Sequence, residues 1–219
     1  MPQEIKTIRL TGVNCYLVKT NAGGYVLIDT GFPMRRSSLE KELESSGCKP
    51  GYLTLILITH GDFDHTGNAA YLRKKFASKI AMHPGETEVV ESGDMSLSRK
   101  STPFLSRIIF SFLKLGKSDR FTPDLYVDDG YDLSGYGFNA RVLHVPGHSK
   151  GSIGILTAEG ALFCGDLLVN TAKPALNTLA DNASEINASF EKLKGLEINI
   201  VYPGHGKPFP MEQLLSNLR

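Results

Sequence analysis

Six consecutive residues, His60-Gly61-Asp62-Phe63-Asp64-His65, carry four side chains able to bind a metal. Two imidazoles and two carboxylates so close together repel or desolvate one another at a cost unless a cation holds them. Three further metal-capable residues lie in glycine-flanked turns. They are His148 in Pro146-Gly147-His148-Ser149, Asp166 after Gly165, and His205 in Pro203-Gly204-His205-Gly206. Glycine lets the backbone bend sharply enough to aim such a ligand. Four of the six histidines occupy these positions, so a hard or borderline divalent cation fits the nitrogen and oxygen donors better than a structural role does. Two cations together lower the pKa of a shared water toward neutrality and polarise a carbonyl or phosphoryl oxygen. Hydrolysis by that route needs no Ser–His pair, and Ser149 reads as a turn residue.

The elements around these residues follow from hydrophobic period and turn chemistry. Strands are expected at 4–10, 15–19 and 25–28, the last two joined through Asn21-Ala22-Gly23-Gly24 and ending in Asp29-Thr30-Gly31. A helix over 34–46 closes at Gly47. The apolar run 53–58 reads as a strand buried on both faces and leads straight into His60. A helix at 66–76 and a strand at 79–83 follow. The second half repeats the order, with strands at 139–145, 152–156 and 161–164, the acidic turn at Asp166, a helix at 183–194 and a strand at 199–202 leading to His205. A duplicated unit of this kind packs sheet against sheet with helices outside. The expected fold is therefore α/β, a four-layer αββα sandwich forming a single domain over 1–219, with a helical insertion at about 84–132. Within the insertion, Thr102-Pro103 starts and Gly116 stops a helix with Phe104, Leu105, Ile108, Ile109, Phe112 and Leu113 on one face. That face has several uses open to it: packing on the core, a lid, a membrane-surface contact or a homodimer contact.

Composition narrows the partners. The net charge is +1, which gives no whole-protein field toward nucleic acid or an anionic membrane. No stretch reaches the roughly 20 apolar residues of a membrane span, and residues 1–10 lack the apolar core of a secretory signal. Cys15, Cys48 and Cys164 are odd in number and widely spaced, which suggests buried thiols rather than disulfides or a thiolate metal site. A cytoplasmic enzyme acting on a small molecule is the expectation, with no nucleic-acid partner.

Taken in order, Asp29-Thr30-Gly31, the 60–65 segment, Pro146-Gly147-His148-Ser149, Gly165-Asp166 and Pro203-Gly204-His205-Gly206 resemble the metallo-β-lactamase fold superfamily over nearly the whole chain. The resemblance implies that His60, Asp62 and His148 bind one metal, that Asp64, His65 and His205 bind a second, and that Asp166 bridges the two. Asp64 would also orient water or take its proton. The family's usual loop is HxHxDH, and here Asp62 stands where the second histidine does. Three carboxylates then balance two divalent ions and a hydroxide. Zinc is expected, while the harder carboxylate also admits iron(II) or manganese(II). Asp29 is expected to fix a turn or a ligand histidine, and His144 to lie in the core or behind the ligands. His83, Asn170 and Lys173 are candidate substrate contacts. The leading function is cleavage of a small ester, thioester or lactone. The alternative is iron-dependent redox chemistry on oxygen, nitric oxide or a persulfide.

Overall fold

The computed structural model describes residues 3–97 and 114–217. Two mixed sheets face each other. The first runs β1 (Ile5–Leu10), β2 (Val13–Lys19), β3 (Tyr25–Ile28), β4 (Leu53–Leu57), β5 (Lys79–Met82) and β6 (Leu125–Tyr126) in sequence order. Its early strands are antiparallel, and β3 to β6 run parallel. The second sheet is built from β7 (Ala140–His144), β8 (Ile153–Thr157), β9 (Ala161–Gly165), β12 (Ile200–Pro203) and β13 (Phe209–Pro210), in the order β13-β12-β9-β8-β7. A two-stranded ribbon, β10 (Leu168–Val169) with β11 (Ala175–Leu176), follows Asp166. The expected duplication is visible in the pairing. An antiparallel hairpin whose second strand runs parallel to a later one occurs as β2-β3-β4 and again as β8-β9-β12.

Alternation of side chains along the strands divides the apolar residues among three cores. Val26, Ile28, Leu55 and Leu57 face the second sheet and meet Val142, Ile153, Ile155 and Phe163. Their neighbours Leu27, Ile56 and Ile58 point the other way, onto Leu39 and Leu43 of α1 (Arg36–Ser45) and Leu72 and Phe76 of α3 (Ala69–Phe76). On the far side, Leu143, Leu156 and Leu162 pack on Ile186, Phe190 and Leu193 of α5 (Ala183–Lys194), which are spaced i, i+4, i+7 on one face. Asn182 starts α5 by accepting from the Ser184 and Glu185 amides. Three cores between helices, sheet, sheet and helices make the αββα sandwich. It also explains why residues 55–58 are apolar throughout.

Two boundaries differ from expectation. The helix expected at 66–76 begins earlier and is interrupted, giving α2 (Phe63–Thr66) and then α3. The Asp62 carbonyl accepts from the His65 and Thr66 amides at 2.9 and 3.0 Å, closing a turn. Asn68 then breaks the helix by donating its side-chain amide to the Thr30 and Phe32 carbonyls. Asp64 and His65 therefore sit in a rigid helical turn and not in a loop. The insertion is also narrower than 84–132. At its start, α4 (Thr87–Ser92) buries Val90 in the outer core; at its end, β6 extends the first sheet and Val127 fills the space between the sheets. Most of the helix expected at 102–116, and with it the suggested dimer contact, lies outside the described residues. No helix among them is long and apolar enough to cross a membrane.

Candidate metal centre

The parallel strands β3, β4, β9 and β12 point their carboxyl ends to one edge of the sandwich, where open α/β sheets collect ligands. His60 follows β4, Asp166 follows β9 and His205 follows β12, while His148 lies in the turn after β7. The structure brings all seven metal-capable residues of the sequence together there. His60, His65 and His148 are fully enclosed; Asp62 and Asp166 are only 5% exposed. Asp64 and His205 stand at the opening.

Each of the four histidines is held through Nδ1. His60 Nδ1 lies 3.0 Å from Thr59 Oγ1, whose own hydrogen goes to Asp29 Oδ2. His65 Nδ1 lies 2.8 Å from Asp29 Oδ2. His148 and His205 place Nδ1 2.6 Å from the Leu179 and Gly12 carbonyls. Because all these partners accept, the Nδ1 proton is fixed and the Nε2 lone pairs turn to the centre, the outer arrangement that orients metal-binding histidines. Asp29 serves two of them, as expected, and adopts φ +59° to do so.

The carboxylates complete two donor sets. Asp62 Oδ2 lies 3.5 Å from His60 Nε2 and 3.2 Å from His148 Nε2. Asp64 Oδ2 lies 3.7 Å from His65 Nε2 and 3.4 Å from His205 Nε2. Asp166 reaches both sides, with Oδ1 3.4 Å from His65 and Oδ2 3.2 Å from His205 and 3.8 Å from His148. Donors about 2.1 Å from a tetrahedral ion are about 3.4 Å apart, so the separations suit ions between them. Buried His60 Nε2, His65 Nε2 and Asp166 Oδ1 have no hydrogen-bond partner among the described residues. Such orphaned atoms are costly unless an ion satisfies them, and this nitrogen–carboxylate set fits two divalent cations. Gly204 belongs to the same geometry, because a Cβ there would collide with Asp166 Oδ1.

These buried groups also shift one another's protonation. Burial opposes charge on His65, but Asp64, Asp29 and Asp166 outweigh it and push the imidazole up to about 9. His205 is pushed up to about 11, burial again being overcome, here by hydrogen bonds to Asp166 and Asp64. Burial works against ionised Asp166 as well, yet the surrounding histidines hold it far below the usual carboxylate range. His60 moves down, through burial and the neighbouring His65.

A cleft of about 480 Å³ opens over Asp166 and His205 and is lined by Lys173, Asn177 and Leu179. A larger cavity, about 610 Å³, lies at Arg141 and Leu196 on the second sheet and contains none of the seven residues. Lys173 thus stands where a substrate contact was expected. Asn170 lines a neighbouring groove and donates its amide to the Lys207 carbonyl, bracing the His205 turn. His83 stacks on His144, with ring centroids 4.3 Å apart and planes 3° from parallel, and faces Asp128 at 3.4 Å. His144 is therefore part of this half-buried pair. An ion about 2.1 Å from an imidazole nitrogen lies in the ring plane. Stacked parallel rings share no such point, so this trio as placed does not make a third metal site.

Sequence reasoning missed Gly12, Leu179 and Thr59. The first two act through carbonyls, which have no residue signature. Thr59 had a signal in its place between a buried strand and His60. Asn14 and Tyr16 of β2 were missed as well: both donate to the Pro203 carbonyl, at 2.9 and 2.6 Å, and so tie the His205 turn to the first half.

The family model of the metallo-beta-lactamase superfamily matches residues 8–205. The hydroxyacylglutathione hydrolase GloC of Haemophilus influenzae is 31% identical over 167 residues, covering 75% of this chain and 71% of that protein. A beta-lactamase-like protein 2 homolog of Caenorhabditis elegans is 27% identical over 201 residues, 90% of this chain but 57% of its own length. The chain thus spans little more than half of that relative. Among solved structures, TTHA1623 in a di-iron-bound form superposes with a TM-score of 0.73 at 28% identity, covering 97% of this chain and 96% of that one. With the sandwich, the seven converging donors and a family match over most of its length, the chain belongs to the metallo-beta-lactamase superfamily.

Proposed function

We propose that the protein is a metal-dependent hydrolase with a dinuclear centre, cleaving a small ester, thioester or lactone. The observation that carries this reading is the division of the donors: His60, Asp62 and His148 gather on one side, Asp64, His65 and His205 on the other, and Asp166 lies between. Zinc is the proposed metal. Two bound divalent ions supply an activated water and a Lewis acid for the substrate's carbonyl oxygen. The chain's own groups do the rest. Asp64, kept ionised against burial by His65 and His205, is placed at the opening to orient the water and take up its proton. Lys173 offers a positive charge to an anionic end of the substrate, and Leu179, 42% exposed, offers apolar contact. A relative named as a hydroxyacylglutathione hydrolase supports an acyl substrate.

A second reading, iron-dependent redox chemistry, is favoured by two observations. Asp62 hardens the first donor set, and a structural neighbour is described in a di-iron-bound form. Loading the protein separately with zinc and iron, then assaying thioesters, lactones, β-lactams and phosphodiesters alongside oxygen and peroxide consumption, separates the two. Zinc-dependent cleavage of a thioester or lactone, abolished by chelator, is expected. Absence of acyl cleavage with either metal, together with oxygen or peroxide turnover by the iron form, would establish the second reading instead.

A further inference from the structure

Glu86 follows β5 and is fully buried, yet no lysine or arginine among the described residues pairs with it. Its two oxygens are divided between the halves of the molecule. Oε2 accepts the Gly61 amide at 2.8 Å, and Oε1 accepts the Gly151 amide at 2.8 Å. Gly61 lies between His60 and Asp62, and Gly151 lies three residues beyond His148. One carboxylate therefore ties the residue between His60 and Asp62 to the turn that carries His148; Asp64 and His65 of the second set come later in the first segment, in the separate helical turn of α2. The second set is held by other groups, Asp29 on His65 and the Gly12 carbonyl on His205. Both glycines are shaped to this contact: a Cβ would lie 2.7 Å from Glu86 Oε2 at Gly61 and 2.7 Å from Glu86 Cγ at Gly151.

We infer that Glu86 is a positioning residue that clamps His60 and Asp62 against His148 and so sets the affinity of the first metal position selectively. The inference rests on the two-metal reading above. Each ligand histidine here is aimed by a partner outside the ligand set, and loss of such a partner typically costs about 10–100-fold in metal affinity. An isosteric amide keeps one acceptor, turns its NH2 against the other backbone N–H and removes the charge. Glu86→Gln is thus expected to weaken one of two cobalt(II) affinities by about 10–100-fold and leave the other within about twofold.

The test is a cobalt(II) titration followed by visible absorbance, on wild type, Glu86→Gln, Glu86→Asp and Asp29→Asn. Glu86→Asp keeps the charge but is one methylene too short to reach both amides; a selective loss there too supports the clamp, and carries the test if Glu86→Gln does not fold. In an Asp62→Ala background, the affinity that Glu86→Gln lowers should be the one Asp62→Ala has already lowered, with the other unchanged. Asp29→Asn, which meets His65 directly and His60 only through Thr59, should by contrast weaken the second position and reach the first as well. Equal loss at both positions would make Glu86 a general structural residue and overturn the inference, as would unchanged affinities. A wild type that never takes up two ions would instead defeat the two-metal reading itself.

Discussion

Replacing Asp166 by Asn is expected to lower metal affinity at both positions, by more than the roughly 100-fold upper range seen for outer partners of metal ligands. The carboxylate faces both donor sets, with His65 and His205 on one side and His148 on the other. Asn removes a negative charge and turns an NH2 donor toward imidazole nitrogens that should be left with lone pairs. It also leaves the pair of ions with two carboxylates, Asp62 and Asp64, to balance their charge. Metal content after dialysis into metal-free buffer measures the effect, and turnover should fall with it. Retention of both ions and full turnover by Asp166→Asn would show that Asp166 does not bridge.

A second large effect is proton-linked. His65 and His205 are protonated at neutral pH in the metal-free protein, being held up to about 9 and about 11 by the surrounding carboxylates. A metal needs their lone pairs, so loading expels both protons. Apparent affinity should then rise about 100-fold per pH unit between pH 7 and 8, about tenfold per unit once His65 has lost its proton above pH 9, and level off above 11. Calorimetric titration in buffers of different ionisation enthalpy counts the protons released. The metal-free fold should respond in the opposite sense. Both histidines have folded values above the ordinary one, so their stabilisation is fully present below about 6.5 and is lost as pH rises through 9 to 11. Metal-free protein should therefore weaken toward alkaline pH. No proton release at pH 7 would mean that the carboxylates do not hold these imidazoles charged.

The donors were legible in the sequence because a ligand must be a particular side chain, and glycines mark the turns that aim it. The sandwich was legible for a related reason. A strand with a core on each face reads as an unbroken apolar run, as at residues 55–58, and the same order of hairpin, acidic turn, helix and strand appears twice. What escaped was set by long-range geometry. Backbone carbonyls at Gly12 and Leu179 orient His205 and His148 from 193 and 31 residues away. No local pattern announces β6, a two-residue strand defined only by its pairing with β5. The break between α2 and α3 depends on Asn68 reaching back to residues 30 and 32. Glu86 looks like an ordinary first-turn glutamate until the fold places two amides against it.

Elemental analysis of the wild-type chain, purified without chelator and reloaded to saturation, tests the centre most directly. Two divalent ions per chain are expected, removed by chelator and restored on reloading. A ratio that saturates at one or below would contradict a dinuclear site built from these seven residues.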